Sequence, residues 1–102
     1  MRTIVAGDPK LNGLGPGLLH YIAVHGAPLQ GDVRLYRGPG VISEGAPRTF
    51  GAELIGTLQA GSPVGTSLKT STVDFSGRAV QPVIEFDNAT DNVEIEFNSI
   101  PG

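Results

Sequence analysis

Gly26-Ala27-Pro28-Leu29-Gln30-Gly31-Asp32-Val33-Arg34-Leu35-Tyr36-Arg37 opens the stretch on which the fold of this chain turns, and the stretch continues to Gly77. Pro28 has no N–H to give to a strand ladder, so Gly26-Ala27-Pro28 reads as a connection. From Asp32 to Arg37 the residue types alternate. Successive side chains of an extended strand point to opposite faces, so the pattern predicts Val33 and Leu35 inward with Arg34 and Tyr36 outward. A Gly/Pro loop then runs from Gly38-Pro39-Gly40 through Gly45-Ala46-Pro47. Ala52-Glu53-Leu54-Ile55-Gly56-Thr57-Leu58 reads as the returning strand. Thr70-Ser71-Thr72-Val73-Asp74-Phe75-Ser76-Gly77 reads as a third strand that ends in a tight turn.

The same reading extends in both directions. Thr3-Ile4-Val5-Ala6 is β-prone and is stopped by Gly7-Asp8-Pro9, and Asn12-Gly13-Leu14-Gly15-Pro16-Gly17 reads as a loop. Leu18 to His25 carries a period of two, which places His20, Ile22 and Val24 on one face and Tyr21, Ala23 and His25 on the other. Alternation returns from Leu68 to Phe75, then in Pro82-Val83-Ile84-Glu85-Phe86 and Asn92-Val93-Glu94-Ile95-Glu96-Phe97. In the last of these, Val93, Ile95 and Phe97 form a dry face against Glu94, Glu96 and Asn98. About seven strands at the 8–12-residue spacing of antiparallel sandwiches predict an all-β fold, a small antiparallel β-sandwich of the Ig-like or transthyretin-like kind. No segment repeats apolar residues at helical spacing over three turns. One domain is expected, with residues 1–17 as an N-terminal strand or arm plus Gly-rich loop and residues 18–102 as the sandwich.

Composition sets limits on stability and on partners. Ile, Leu, Val and Phe total 29 of 102 residues and the net charge is −3, so the chain carries enough apolar surface to fold. It also carries 15 Gly, 8 Pro and no Cys, which means costly ordering and no disulfide to offset it. Small domains without such staples often lean on a neighbour, so a homo-oligomer or multi-copy assembly is expected. An isoelectric point near 5.1 with scattered basic residues points away from nucleic acid. No apolar run approaches the ~20 residues that span a bilayer, and the apolar start breaks too early for a signal peptide. The expected location is the cytoplasm, or release with a larger particle.

The residues that could carry chemistry do not converge. His20 and His25 are five apart and fall on opposite faces of a regular strand, so they cannot chelate one metal. No nucleophile elbow is present, and Glu94 and Glu96 sit on a solvated strand face, whereas acid–base pairs need recessed, unequal surroundings. Asp87-Asn88-Ala89-Thr90-Asp91-Asn92 offers hard oxygen ligands, yet it lacks the Gly and bidentate Glu of a calcium loop and reads as an Asx-rich turn. The glycines of Asn12 to Gly17 precede a strand, not the helix that phosphate binding needs. No cofactor and no catalytic residue is therefore expected. Loops of a dozen residues in small domains serve binding or are disordered, and of these two readings the first makes residues 38–51 the expected contact surface. Arg48 and Phe50 are its anchors, since Arg and aromatics dominate interface hot spots, with Tyr36, Val41 and Ile42 beside them.

The order Gly-x-Pro-Leu-x-Gly-x-Val-x-Leu-Tyr (Gly26 to Tyr36), Leu54-Ile55-Gly56 and Thr72-Val73-Asp74-Phe75-Ser76-Gly77-Arg78 resembles a family pattern. It is similar to the transthyretin-like sandwiches called carboxypeptidase regulatory-like domains and to the B-type repeats of bacterial surface adhesins. Ala79 stands where that family places an aromatic. The resemblance implies a non-catalytic domain of the kind found as small subunits of bacteriophage particles. The function expected is a virion structural protein (capsid decoration, neck, tail or fibre) working through contacts with other virion proteins and itself. A carbohydrate- or cell-surface-binding module, using Tyr21, Tyr36 and Phe50, is the alternative.

Overall fold

The computed structural model describes residues 2–38, 53–70 and 81–99. Among these there is no helix, and eight strands form: β1 (Arg2–Ala6), β2 (Leu11–Gly13), β3 (Gly17–Val24), β4 (Val33–Gly38), β5 (Glu53–Leu58), β6 (Ser67–Lys69), β7 (Gln81–Phe86) and β8 (Asn92–Ser99). They make two antiparallel four-stranded sheets, ordered β1-β8-β3-β6 and β2-β7-β4-β5. The nested pairs β1·β8, β2·β7, β3·β6 and β4·β5 are those of a long ribbon rolled on itself, which is the jelly-roll form of the β-sandwich. Among the described strands, only β4 and β5 are both consecutive and partners in one sheet; every other consecutive pair lies in different sheets.

The expected sandwich is present, built from one strand more than the alternation revealed. Residues 11–13 supply β2, which pairs with β7 through Leu11↔Glu85, Asn12↔Ile84 and Gly13↔Val83. The Asn12 side chain donates to the Pro9 carbonyl at 2.8 Å and so braces the turn from β1. Within residues 2–17, β1 and β2 are edge strands, one for each sheet. Of the segment read as a strand from Leu68 to Phe75, Ser67–Lys69 forms β6, and residues 71–80 lie outside the described set.

The core lies between the sheets. One sheet contributes Val5, Leu19, Ile22, Val24, Val93 and Ile95; the other contributes Val33, Leu35, Leu58, Ile84 and Phe86. Leu29, from the β3–β4 loop, closes one end. Gly56 on β5 leaves the room that Leu68 of the facing sheet fills, since a Cβ there would stand 2.6 Å from a Leu68 methyl.

A bulge corrects the reading of β3. Leu19 pairs with Phe97 and Tyr21 with Glu96, so His20 is the extra residue. An inserted residue reverses the alternation beyond it. Leu19 and Ile22 therefore both point inward, 1 % and 0 % exposed, while His20 does not share the inner face of Ile22 and Val24. Its Nε2 lies 3.3 Å from Asn98 Nδ2 instead.

The four connections β1–β2, β3–β4, β5–β6 and β7–β8 meet at one pole and are bonded to one another. Gly7 N–H donates to the Asp91 carbonyl (2.8 Å), Gly61 N–H to Leu29 (2.8 Å), Leu29 N–H to Ser62 (3.0 Å) and Asp87 N–H to Asp32 (3.0 Å). A Cβ on Gly7 would stand 2.7 Å from the Asn88 carbonyl oxygen and 3.0 Å from that of Asp91. Both are main-chain atoms that cannot rotate away. Gly7→Ala should therefore destabilise the fold by about 1–3 kcal/mol, the usual cost of overpacking. Urea denaturation would measure it, and a loss below about 0.5 kcal/mol, the level of an ordinary surface change, would show that the β1–β2 turn yields.

Candidate functional site

At the pole opposite the bonded loops the described residues end at Gly38, Glu53, Thr70 and Gln81. Gly38 and Gln81 pair across β4 and β7, and Arg37 pairs with Glu53 across β4 and β5. Residues 39–52 are thus bracketed by two ends on adjacent strands, and residues 71–80 return at Gln81. The bracketing residues are fixed firmly. Thr70 is fully buried, its hydroxyl donates to the Leu19 carbonyl, and its N–H donates to His20 at 3.0 Å. Gln81, 5 % exposed, accepts a hydrogen bond from Gly15 N–H at 2.7 Å.

Of the expected contact residues, Val41, Ile42, Arg48 and Phe50 lie outside the described residues. Tyr36 is described, and it corrects the expectation. It lies on the face of β4 opposite Leu35, as the alternation predicts, but it is only 5 % exposed. Its hydroxyl is 3.4 Å from Glu85 Oε1 on the neighbouring strand. Val83, its cross-strand partner, is buried as well. Facing away from the inter-sheet core is therefore not the same as facing solvent here, and Tyr36 is not an accessible contact side chain. Among the described residues, the accessible apolar ones near this pole are Leu18, at the start of β3, and Leu54, at the start of β5, 45 % and 54 % exposed. The Leu18-Leu19 doublet is the sequence signal for the first, because two adjacent leucines cannot both face one core across a regular strand.

At the bonded pole the side-chain oxygens of Asp91 and Asn88 in the Asx-rich turn already have partners. Asp91 accepts from Gln30 N–H (2.8 Å) and Gly31 N–H (3.0 Å). Asn88 Oδ1 accepts from Thr90 N–H (2.9 Å) and the Thr90 hydroxyl (2.6 Å). Among the described residues no three His, Asp or Glu side chains are grouped so as to hold a metal ion.

Arg34 faces three carboxylates: Asp87 at 2.7 Å, Glu85 at 3.2 Å and Asp32 at 3.4 Å. Hydrogen bonding to Asp87 is the main reason its pKa rises above the ordinary arginine value, so the guanidinium stays charged at every accessible pH. Asp32 also accepts from Ala60 N–H at 2.8 Å, which ties this cluster to the β5–β6 loop. Arg34→Met should reduce stability by about 1–2 kcal/mol at low salt, less than a buried pair because Asp87 is 46 % exposed. The difference from wild type should narrow as salt is raised. An equal gap at all salt concentrations would remove the electrostatic account.

The outer face of the β1-β8-β3-β6 sheet is the other feature of note. The Tyr21 hydroxyl donates to Glu94 Oε2 at 2.9 Å. This bond, then burial, then the Glu94 charge, raise the Tyr21 pKa above the ordinary phenol value. A phenol whose folded pKa is raised contributes stability that is complete below the unfolded pKa and is lost as pH climbs through the folded one. Ultraviolet titration should find Tyr21 ionising later than a free tyrosine, with Glu94→Gln shifting it back. Coincident wild-type and Glu94→Gln curves would contradict the bond.

Comparison with family models, with curated proteins and with solved structures finds no match to this chain. The pattern that resembles transthyretin-like domains maps onto the β3–β4 loop with β4 and onto β5, and its third part, Thr72 to Arg78, lies outside the described residues.

Proposed function

We propose that this chain is a non-enzymatic structural subunit, a bacteriophage virion component (capsid decoration, neck, tail or fibre) that acts through protein–protein contacts. The observation that carries the reading is the asymmetry of the two poles. One pole is bound together loop to loop by main-chain and Asp-mediated hydrogen bonds. At the other lie the paired strand ends Gly38, Glu53 and Gln81 and the buried Thr70, with Leu18 and Leu54 exposed nearby. Exposed apolar residues at strand ends that a sandwich holds in place suit a repeated contact role, because binding residues work when a rigid scaffold positions them. The jelly roll recurs in viral capsid domains, which supports the class by analogy of fold alone.

The test is assembly. Size-exclusion chromatography with light scattering should show a defined oligomer or binding to a shell or tube protein encoded beside this gene. Leu54→Glu and Arg48→Ala should weaken that association while leaving the circular dichroism spectrum unchanged. A strict monomer that ignores every neighbouring particle protein would overturn the proposal.

A further inference from the structure

We propose that the outer face of the β1-β8-β3-β6 sheet carries a binding site for a neutral saccharide, centred on Tyr21. A concavity of about 500 Å³ opens there, lined by His20, Tyr21, Ala23, Ser67, Lys69 and Glu94 with Gly65 at its rim. The volume lies within the range of small-ligand sites, roughly 300–1,000 Å³.

Local structure explains why these residues meet. The β3 bulge takes His20 out of the strand alternation and brings it to the concavity; bulges commonly re-aim a side chain in this way. Register sets Tyr21 beside Lys69 and Ala23 beside both Ser67 and Glu94. Ala23 is the small residue that makes the depression between its larger neighbours. Gly65, with φ of +95°, turns the β5–β6 loop at the rim, and a Cβ there would meet nothing within 4 Å.

The chemistry selects the ligand class. Lys69 and Glu94 bring opposite charges, so the site has no net preference for an anion or a cation. Lys69 and Ser67 supply donors, Glu94 and Ser67 acceptors, and the Tyr21 ring adds an aromatic surface whose negative face attracts polarised C–H groups. The Glu94–Tyr21 hydrogen bond holds both groups in place before any ligand arrives. That set matches a sugar ring, with its equatorial hydroxyls and apolar C–H face. An extended peptide fits less well, because β3 is paired on both sides and the edge strand β6 is only three residues long in its described part. This site runs along a sheet face from Gly65, among the bonded loops, to Lys69, next to Thr70, and its test is saccharide binding, which succeeds or fails separately from assembly.

The test is an amide-resolved NMR titration of the full chain with a panel of neutral saccharides: maltose, cellobiose, lactose and N,N′-diacetylchitobiose. At least one should give saturable shifts confined to the amides of residues 20–23, 65–69 and 94. Lys69→Ala and Tyr21→Phe, both compatible with the fold, should weaken that binding by about threefold or more, and Tyr21→Ala by about tenfold. If Tyr21→Ala fails to fold, the first two variants still decide the matter. Absence of shifts with every sugar, shifts located elsewhere, affinities untouched by the variants, or a response to peptides alone would each overturn the proposal.

Discussion

Phe86→Ala should remove about 3–5 kcal/mol of stability, the range for deleting a buried aromatic ring. Phe86 is 1 % exposed and stands on β7 opposite Val33, at the end of the core that Leu29 closes. Its N–H donates to the Lys10 carbonyl at 2.7 Å, so the main chain on which the ring is mounted is held by the β1–β2 turn. The surroundings cannot collapse into the vacated space, because the loops at this pole are bonded to one another. A domain of this size has only about 5–15 kcal/mol in total, so one ring represents a large share. Ile4, 45 % exposed on β1, is the control: Ile4→Ala should stay within about 0.5 kcal/mol of wild type. Urea denaturation with an unchanged m-value is the measurement. If the two variants lost similar amounts, the inter-sheet layer would not be the source of stability.

How far this architecture could be read from residues depends on what each feature rests upon. Val33 and Leu35 on β4, and Val93 and Ile95 on β8, are legible because a long strand with one dry face writes a period of two into the sequence. β2 was not, for a physical reason. Three residues that include Asn12 and Gly13 carry turn chemistry, and only pairing with β7 makes them a strand. The β3 bulge is hidden similarly: Leu18-Leu19 signals a break in the pattern, but nothing local says that His20 is the residue that leaves the ladder. Tyr36 shows a third limit. Alternation assigns its face correctly, while its burial depends on what else packs against that face. The sheet order is a global property, set by which crossovers let both dry faces meet, and no short window contains it.

The same distinction applies to Asp91, which reads in sequence as one more polar residue in an Asx-rich turn. In the fold it is 5 % exposed, and its two carboxylate oxygens accept the N–H groups of Gln30 and Gly31 at 2.8 and 3.0 Å. The loop between β3 and β4 is thereby joined to the one between β7 and β8, across the two sheets. Hydrogen bonds to a charged acceptor contribute about 1.5–3 kcal/mol, and an orphaned buried donor costs about 1–3 kcal/mol. Asp91→Ala should therefore lose about 2–4 kcal/mol, as it leaves both donors without a partner. Asp91→Asn keeps one good acceptor and should lose roughly half as much. Asp87→Ala, at a site 46 % exposed where water can replace the carboxylate, should lose less than either. Hydrogen exchange gives the local readout: the Gln30 and Gly31 amides should lose protection in Asp91→Ala before the core strands do. Should those two amides keep their protection, or Asp91→Ala prove no worse than Asp87→Ala, the pole would be held by its main-chain bonds and the carboxylate would be incidental.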